Sequence, residues 1–345
     1  MPSGRERNRQ RAIARHARVK PWGELPRGLT PSQGVFLIDK DQGVTSHDVV
    51  GALRRLGATR QVGHAGTLDP MATGLLVVAT GRATKLIQYL VGADKTYEAR
   101  ICLGVGSDTD DADGELRAAS PPQASGADVD RALEALTGEI MQVPATVSAL
   151  KVDGKRAHDL ARSGQKVELE ARPVRVERFE RTSQVEPGVV DVAGAEVPVL
   201  EFDVVVTASA GTYVRALARD VGIMLGTEAH LTRLRRTDIG SWNVADAVTV
   251  ADLKRVVEAG GELAPMSIAQ VCRRVFPVVE VTEAEARALG NGIFVDMRKP
   301  VSVGSRMERW PAAAFTGEVP VALVSPRAGK LKPDLQLGET TSVPS

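Results

Sequence analysis

Residues 63–76 read Gly-His-Ala-Gly-Thr-Leu-Asp-Pro-Met-Ala-Thr-Gly-Leu-Leu, and this stretch governs how the rest of the chain is interpreted. Its single carboxylate, Asp69, precedes Pro70, and a proline disfavours helical geometry at the residue before it. Asp69 is therefore expected to project from an extended or turn backbone. The apolar run 75–79 is short enough for a buried strand. An aspartate in such a loop more often caps a turn than carries chemistry, so the surrounding patterns decide between the two.

The chain outside this loop predicts strands and helices without a regular strand–helix–strand alternation. Thr45 and Asp48 have the spacing of a capping box, which predicts the start of an amphipathic helix. Apolar patterns elsewhere predict strands at 34–39, 97–103 and 200–207, and helices at 82–91, at 125–138 and, after a loop, within 211–225. This mixture favours an α+β fold over a doubly wound one.

Composition points to a globular protein of a reducing compartment. The 345 residues are enough for a large core and more than one domain. Aromatic residues make up only 3%, so any nucleic-acid contact must depend mainly on Arg and Lys. Cys102 and Cys272 lie far apart without partners at metal-ligand spacing, which argues against a zinc site. No apolar stretch approaches the length of a membrane span, and we expect a cytoplasmic protein.

The net charge of +1 hides a basic N-terminus. Residues 1–30 contain eight basic and two acidic residues, a net charge of +6, so the remaining chain carries about −5. We expect residues 1–32 to form a basic, disordered tail, because the segment is low in apolar content. Two interpretations stay open, a nonspecific phosphate-binding arm and a dispensable solvated extension.

Residues 144–178 differ in character from the predicted elements around them. They are rich in Lys and Arg and show little apolar periodicity, which indicates a basic insertion rather than core. Residues 258–266 contain Gly and Pro and suggest a linker. From about residue 275 onward, short β-like runs separated by Gly and Pro indicate a small separate domain.

Several motifs, taken in order, resemble those of a known family. After the 63–76 stretch come Lys95-Thr-Tyr97, the basic segment from Pro144 to Pro173, Ser209-Ala-Gly-Thr-Tyr-Val-Arg215, and His230 with Leu234-Arg-Arg236. Together they resemble the TruB family of bacterial tRNA pseudouridine-55 synthases. The resemblance covers most of residues 33–250, and a match of several motifs in one order is far more specific than a short pattern.

This resemblance implies a pseudouridine-synthase-type α+β fold. A mixed, largely antiparallel sheet with flanking helices and an RNA-binding insertion is expected, plus a small β-rich C-terminal domain. The catalytic domain would cover 33–255, with the insertion at about 144–178, and a PUA-like domain would cover 275–345. The implied reaction isomerises uridine 55 in the tRNA T-loop to pseudouridine, by base flipping, glycosidic bond cleavage and rejoining through C5. The resemblance implies no cofactor, no metal, no membrane contact, no obligatory protein partner, and a monomer that binds the tRNA T-arm.

The catalytic residue of the family falls on Asp69. A carboxylate can form a covalent intermediate that divides the reaction into easier steps, and whether Asp69 attacks the sugar or the base, or acts as a base, stays open. Its charge calls for a nearby cation, and the resemblance places Arg215 there. Tyr97 is expected to stack on the flipped base or to assist removal of the C5 proton. Tyr213 is expected to line the pocket beside it.

Leu234 and His64 complete the substrate-binding set that the resemblance implies. Leu234 matches a contact with the uracil, although an isolated leucine would be assigned to the core. His64 is expected to help hold the displaced nucleotide or the rearranged T-loop, although an isolated histidine is more often a capping or packing residue. In the insertion, the resemblance implies contacts with the RNA backbone by Lys151, Lys155, Arg156, Arg162 and Lys166.

Two patterns for other ligands are incomplete. Residues 108–114, Asp-Thr-Asp-Asp-Ala-Asp-Gly, are similar to a calcium loop, but the final bidentate acid is missing. Gly104 and Gly106 follow a predicted strand, but the third glycine and the later acid of a dinucleotide site are missing.

Two alternative functions stay open on the sequence. The first is a tRNA-folding chaperone or binding module in which catalysis is secondary. The combination of Asp69, Tyr97 and Arg215 favours the enzyme, because binding alone needs none of the three. The second is a guide-RNA-dependent pseudouridine synthase of the dyskerin type, which the bacterial-like insertion at 144–178 disfavours.

Overall fold

The computed structural model describes residues 20–145, 151–152, 155–156, 170–297 and 310–338. Its strands are β1 (Gly34–Lys40), β2 (Val62–Ala65), β3 (Thr73–Thr80), β4 (Lys95–Leu103), β5 (Val105–Ser107), β6 (Leu116–Ala118), β7 (Gly138–Gln142), β8 (Lys151–Val152), β9 (Lys155–Arg156), β10 (Arg172–Arg181), β11 (Glu186–Val192), β12 (Ala195–Ala208), β13 (Ala229–Ile239), β14 (Trp242–Asn243), β15 (Val278–Glu280), β16 (Val295–Asp296), β17 (Ala312–Thr316), β18 (Val319–Arg327) and β19 (Lys330–Gln336). Its α-helices are α1 (Ser46–Leu56), α2 (Ile87–Leu90), α3 (Gly126–Ala135), α4 (Val214–Met224), α5 (Val250–Glu258), α6 (Ile268–Val275) and α7 (Glu283–Gly290).

The main sheet has ten strands in the described part of the chain. Its central order is β1-β3-β13-β4-β12-β10-β7, and β2, β11 and β14 pair with β3, β12 and β13 respectively. Every pairing is antiparallel except that of β3 with β13. The prediction of a mixed, largely antiparallel sheet is therefore confirmed.

Strand β3 contains the predicted buried run 75–79 and links three other strands. One edge of β3 pairs with the whole of β1. The other edge is shared, because β13 pairs with Thr73 and Gly74 while β2 pairs with residues 77–80. The loop 66–72, which carries Asp69, connects β2 to β3 and therefore meets the sheet beside Arg235 and Arg236 of β13.

Helices and a second layer cover both faces of this part of the sheet, which explains the uninterrupted apolar run in β3. Phe36 and Ile38 of β1 belong to a core that is shared with α1, α3, α4 and α5. Val35 and Leu37 point the other way, into a second core that includes α6 and residues of the C-terminal strands. Alternate residues of one strand thus stabilise two layers.

The local signals in the sequence predict the helices well where a cap is present. Thr45 and Asp48 form both bonds of the capping box at the start of α1. The predicted helix at 82–91 is instead a 3-10 helix over Gly81–Leu86 that continues into the short α2. The Thr84 hydroxyl donates to the Gly81 carbonyl at 2.7 Å, and such local bonds compete with regular α-helical bonding.

Two predicted boundaries need correction. The basic tail was expected to extend to residue 32, but Trp22 and Ser32 are buried against the folded chain, so these residues are not part of an unfolded tail. The basic insertion was expected to extend to 178, but Arg172–Arg181 is strand β10 of the main sheet. Its buried face was masked in the sequence by arginines and by a bulge that breaks the alternation between 176 and 178.

The C-terminal strands form a second sheet, as expected for a small β-rich unit. Its order is β15-β17-β18-β19-β16, and only β15 and β17 are parallel. Helix α7 packs on this sheet through Leu289, within a small core of its own. Phe315 and Leu323 lie instead in the second core, together with residues of β1 and β3. The two sheets therefore share buried apolar surface.

Candidate active site

The loop 66–72 is held in place by groups at the start of α1. The Ser46 hydroxyl accepts a hydrogen bond from the Leu68 N–H at 2.9 Å and donates one to the Leu68 carbonyl at 3.1 Å. The Pro70 carbonyl accepts from the Gly43 N–H at 2.7 Å. Hydrogen bonds at Leu68 and Pro70 thus fix the backbone on both sides of Asp69. Asp69 lies in a non-helical loop, as predicted.

Arg236 supports the same loop from the sheet. Its side chain is 1% exposed, and it donates to the carbonyls of Leu75 at 2.8 Å, Gly66 at 3.2 Å and Thr67 at 3.4 Å. These acceptors lie where β3 changes partner from β13 to β2. Gly74 has a φ of +99°, and a Cβ there would lie 2.2 Å from the Arg236 carbonyl oxygen, so this close approach requires glycine.

Asp69 forms an ion pair with Arg215, the second residue of α4. The Arg215 Nε lies 2.9 Å from Asp69 Oδ2, with the arginine 4% and the aspartate 36% exposed. The guanidinium is thus buried behind the carboxylate, which itself remains accessible. The two residues that the sequence placed together are adjacent, and the arginine fixes both the charge environment and the orientation of the carboxylate.

A second carboxylate, which the sequence interpretation missed, holds Arg215 from the other side. Arg215 Nη1 lies 3.4 Å from Asp111 Oδ2 and donates to the Thr109 carbonyl at 2.7 Å. Burial raises the pKa of Asp111, while its bond from Thr109 and the charge of Arg215 act in the opposite direction. Residues 108–114 do not fit a calcium loop. Instead they supply the carboxylate and the carbonyl that hold Arg215 in place.

The same acidic loop also pairs with the next turn of α4. Arg219 Nη1 lies 3.2 Å from Asp110 Oδ2, and Arg219 Nη2 lies 2.9 Å from Asp220 Oδ1. The signal in the sequence was the match of two adjacent acids with arginines spaced by four residues, which face one way on a helix. Only the tertiary structure shows that the two segments meet.

Tyr97 and Leu234 lie on the neighbouring strands β4 and β13 of the main sheet. Tyr97 of β4 is in register with Arg236 of β13, and Leu234 is in register with Ala99. Tyr97 is half-buried against the first core, and Leu234 is buried within it. Tyr213 is the residue before α4 and lies two positions from Arg215. The predicted pocket residues therefore come from β4, β13 and the start of α4.

Lys40 is a buried cation close to the aspartate loop. Its ammonium group donates to the carbonyls of Val44 at 2.8 Å and Asp41 at 2.9 Å, and it lies 3.5 Å from the Pro70 carbonyl. Burial lowers the pKa of Lys40 to about 8, and the charge of Asp69 opposes this effect. The sequence interpretation did not single out Lys40, which lies one residue beyond the strand predicted at 34–39.

His64 lies on β2, opposite Val78 of β3, and is partly buried. Burial lowers the pKa of His64, and the charges of Arg236 and His47 act in the same direction. A hydrogen bond with the backbone of Gly66 opposes this lowering of the pKa. The structure places it near the base of the loop 66–72, which leaves its expected role toward the displaced nucleotide a prediction.

The side chains of all five expected RNA-backbone residues lie outside the described part of the structure. Lys151 and Arg156 are register partners in the small β8–β9 hairpin, which also includes Lys155. Arg162 and Lys166 lie outside the described residues.

The described residues were also compared with the requirements of a metal site, a ligand cavity and a membrane span. Among the described residues, no group of His, Cys, Asp or Glu is placed to hold a metal ion. A cavity of about 620 Å³ lies between the main sheet and the C-terminal unit, lined by residues that include Arg175, Trp242 and Trp310. It does not include Asp69. No helix of the described chain is both long enough and apolar enough to cross a membrane.

Sequence comparisons match most of the chain to proteins of one family. Residues 54–214 match the family model described as TruB family pseudouridylate synthase (N terminal domain), and residues 215–275 match the tRNA pseudouridylate synthase B C-terminal domain. The protein named tRNA pseudouridine synthase B of Arthrobacter sp. (strain FB24) is 45% identical over 316 residues, which cover 90% of this chain and 98% of that protein. The protein of the same name from Corynebacterium aurimucosum is 47% identical over 266 residues, covering 77% and 85%.

Solved structures show the same fold. An H/ACA RNP bound to a substrate RNA containing 2'-deoxyuridine matches with a TM-score of 0.62 and 22% identity, over 92% of each chain. The archaeal box H/ACA sRNP Nop10-Cbf5 complex matches with a TM-score of 0.60 and 25% identity, over 88% of this chain and 85% of that chain. The sequence matches extend over both sides of the Asp69–Arg215 pair, and they show that the chain belongs to the TruB family of pseudouridylate synthases.

Proposed function

We propose that this protein converts uridine 55 in the T-loop of tRNA to pseudouridine, with Asp69 as the catalytic carboxylate. Membership of the TruB family and relatives named tRNA pseudouridine synthase B support pseudouridine formation in tRNA. The observation that carries the assignment of Asp69 is its ion pair with Arg215, because a partly exposed carboxylate backed by a buried cation suits a nucleophile.

The reaction breaks the bond between the base and the ribose, rotates the base and rejoins it through C5. Asp69 can supply the electron pair for a covalent intermediate, which replaces one difficult step by two easier ones. Arg215 holds the carboxylate in one orientation and balances its negative charge. Since the Arg215 guanidinium is itself fixed by Asp111 and Thr109, the carboxylate needs no rearrangement when the substrate arrives.

The residues proposed around Asp69 have the chemistry to bind a uridine that has been flipped out of the RNA stack. Tyr97 offers an aromatic face and a phenol, Tyr213 would line the pocket beside it, and Leu234 would contact the uracil from β13. An RNA base must be extruded before a side chain in a pocket can reach its glycosidic bond. We assign His64 to the part of the site that holds the displaced nucleotide.

RNA affinity outside the pocket would come mainly from phosphate contacts. The insertion, with Lys151, Lys155, Arg156, Arg162 and Lys166, is proposed to grip the T-arm. We further propose a catalytic unit within 33–255 and a PUA-like RNA-binding unit within 275–345. The protein would act as a cytoplasmic monomer without an obligatory protein partner.

The function can be tested with bare tRNA and the protein alone. Release of tritium from [5-³H]uridine-labelled tRNA transcript reports the reaction, because C5 loses its hydrogen when it is joined to the ribose. We expect release of one equivalent per tRNA, and none from a matched transcript with cytidine at position 55. Equal release from both transcripts would contradict the site, and release only after addition of a guide RNA would favour the dyskerin-type alternative.

The role of Tyr97 can be separated into stacking and proton handling. Tyr97→Phe keeps the ring and removes only the hydroxyl, whereas Tyr97→Ala removes both. If the phenol handles the C5 proton, the single-turnover rate of Tyr97→Phe falls by a factor on the order of 10² or more, with unchanged tRNA affinity. A near-parental rate for Tyr97→Phe, with a large loss for Tyr97→Ala only, would leave stacking as the role of the ring.

The basic insertion is expected to contribute more productive affinity than the basic tail. Neutralising its five Lys and Arg residues should reduce the slope of log affinity against log salt by about 0.7 to 0.9 for each phosphate that the protein no longer neutralises, and lower kcat/KM. Deletion of residues 1–19 should reduce nonspecific RNA binding with little loss of activity. The deletion stops at 19 because Trp22 is part of the core. A larger loss of kcat/KM from the deletion at moderate salt would reverse this assignment.

A further inference from the structure

The basic insertion begins and ends at one place in the main sheet. Strands β7 and β10 pair with each other, and the last pair of their ladder joins Gln142 to Arg172. The proposed insertion lies between these two residues in the sequence. The position of the Gln142–Arg172 pair therefore sets the place from which the insertion starts.

The side chain of Gln142 is attached to the residue at which the catalytic helix begins. Its Nε2 donates to the Tyr213 carbonyl at 3.1 Å, and its Oε1 accepts from the Tyr213 N–H at 2.9 Å. Tyr213 is the N-cap residue of α4, so the amide from β7 holds the start of this helix through its backbone. Arg215, the partner of Asp69, follows two residues later.

The burial of Gln142 shows that its amide depends on these two bonds, because water is not available to replace them. Gln142 is 1% exposed, although it is the last residue of a strand whose other side chains are exposed or half-buried. A buried amide is costly unless its donor and acceptor are both satisfied, and here the backbone of Tyr213 satisfies both. An apolar side chain of the same size would fill the space without this connection.

A second connection lies one residue further along. The carbonyl of Val143 accepts from Arg219 Nη2 at 2.8 Å. The same guanidinium lies 3.2 Å from Asp110, the neighbour of the Asp111 that supports Arg215. The start of the insertion is therefore joined to two successive turns of α4, and both turns are tied to the acidic loop behind the active site.

We propose that Gln142 and Arg219 are positioning residues that fix the start of the RNA-binding insertion relative to Asp69. This inference rests on the proposed function, since it assumes that the insertion holds the tRNA. An error of about 1 Å in the placement of a bound substrate can reduce a reaction rate by a factor on the order of 10². The connection through α4 keeps the bound tRNA at a fixed position relative to the Asp69 carboxylate.

The first test replaces Gln142 by methionine, which keeps the volume and removes both bonds to Tyr213. We expect the single-turnover rate at saturating enzyme to fall at least tenfold, while the Kd for tRNA changes less than twofold. Gln88→Met is the matched control, because Gln88 is exposed on α2 and remote in sequence from the insertion, and it should leave both quantities unchanged. A parental rate for a folded Gln142→Met would overturn the proposal.

Arg219→Gln provides a second, independent variant. It removes the bond to Val143 at a side chain that is partly exposed, and we expect at least a threefold loss of the single-turnover rate with unchanged tRNA affinity. If both variants retained the parental rate, the connection between the insertion and α4 would have no role in catalysis.

A double-mutant cycle distinguishes positioning of the insertion from a general effect on the helix. In a protein whose five insertion Lys and Arg residues are neutralised, the loss caused by Gln142→Met should shrink from tenfold to below threefold. A full tenfold loss in that background would show that Gln142 acts on Tyr213 alone, which contradicts the proposal. If the unaltered protein released no tritium from tRNA, the proposed function would fail instead.

Discussion

Replacement of Asp69 by asparagine is expected to abolish pseudouridine formation and to leave tRNA binding intact. The substitution keeps the size of the side chain but removes its negative charge and its nucleophilic electron pair. Affinity should survive because phosphate contacts elsewhere supply most of it. Tritium release from labelled tRNA should fall by a factor on the order of 10³ or more, as measured in single-turnover reactions.

The matched control is Asp296→Asn, the same chemical change at an exposed position of β16 in the C-terminal sheet. It should show parental tritium release and parental tRNA affinity. Turnover of Asp69→Asn within a few-fold of the parent would contradict the assignment of Asp69. Loss of both binding and turnover would indicate instead that the loop 66–72 no longer adopts its fixed geometry.

Replacement of Arg215 by methionine is expected to reduce both stability and activity. Asp111, 6% exposed, would remain as a buried carboxylate without its cation, and breaking a buried pair typically costs about 3–5 kcal/mol of unfolding free energy. Turnover should fall by a factor on the order of 10² or more, because Asp69 would lose the group that orients it. Urea unfolding followed by tryptophan fluorescence measures the first effect, and tritium release measures the second.

The double variant Arg215→Met/Asp111→Asn separates the two effects. Removal of the second charge should restore much of the stability, because no unpaired carboxylate would remain behind the site. It should not restore turnover, since Asp69 would still lack its cation. Recovery of activity together with stability would show that Arg215 acts only through folding.

The stability deficit of Arg215→Met should also depend on pH. Burial raises the pKa of Asp111, and loss of Arg215 removes one influence that lowers it. A carboxyl group with a raised pKa in the folded state binds its proton more readily there than in the unfolded chain. As the pH falls and Asp111 takes up its proton, the folded state of Arg215→Met is stabilised relative to its unfolded state. The difference in unfolding free energy between the variant and the parent should therefore become smaller. A deficit that grows on acidification would contradict this account of Asp111.

Local patterns in the sequence predict those parts of the fold that depend on neighbouring residues. The Thr45–Asp48 capping box places the start of α1 correctly, and the apolar run 75–79 falls within β3. Strand β10 was predicted only as basic insertion, because its arginines alternate with the buried Val174 and Val176. One face of such a strand is indistinguishable in sequence from a charged loop until its partners are known.

In the candidate site, too, some residues were predicted from the sequence and others were not. The motifs pointed to Asp69 and Arg215, and the structure brings them into contact. The residues behind this pair were missed: Asp111 lies 104 residues before Arg215, and Gln142, the partner of Tyr213, lies 73 residues before Arg215. The adjacent acids 110–111 match the spacing of Arg215 and Arg219, but nothing in the sequence shows that the two segments meet. Partners that meet only through tertiary structure leave no local pattern, so they were missed.

The second core has a consequence for how the molecule folds. Phe315 and Leu323 of the C-terminal sheet lie in the same buried cluster as Val35 and Leu37 of β1. Loss of the C-terminal strands would uncover an apolar face of the strands that flank the Asp69 loop, and exposed apolar faces of this kind favour aggregation. We therefore expect the C-terminal unit and the main sheet to unfold together, and loss of the C-terminal strands to destabilise the loop 66–72.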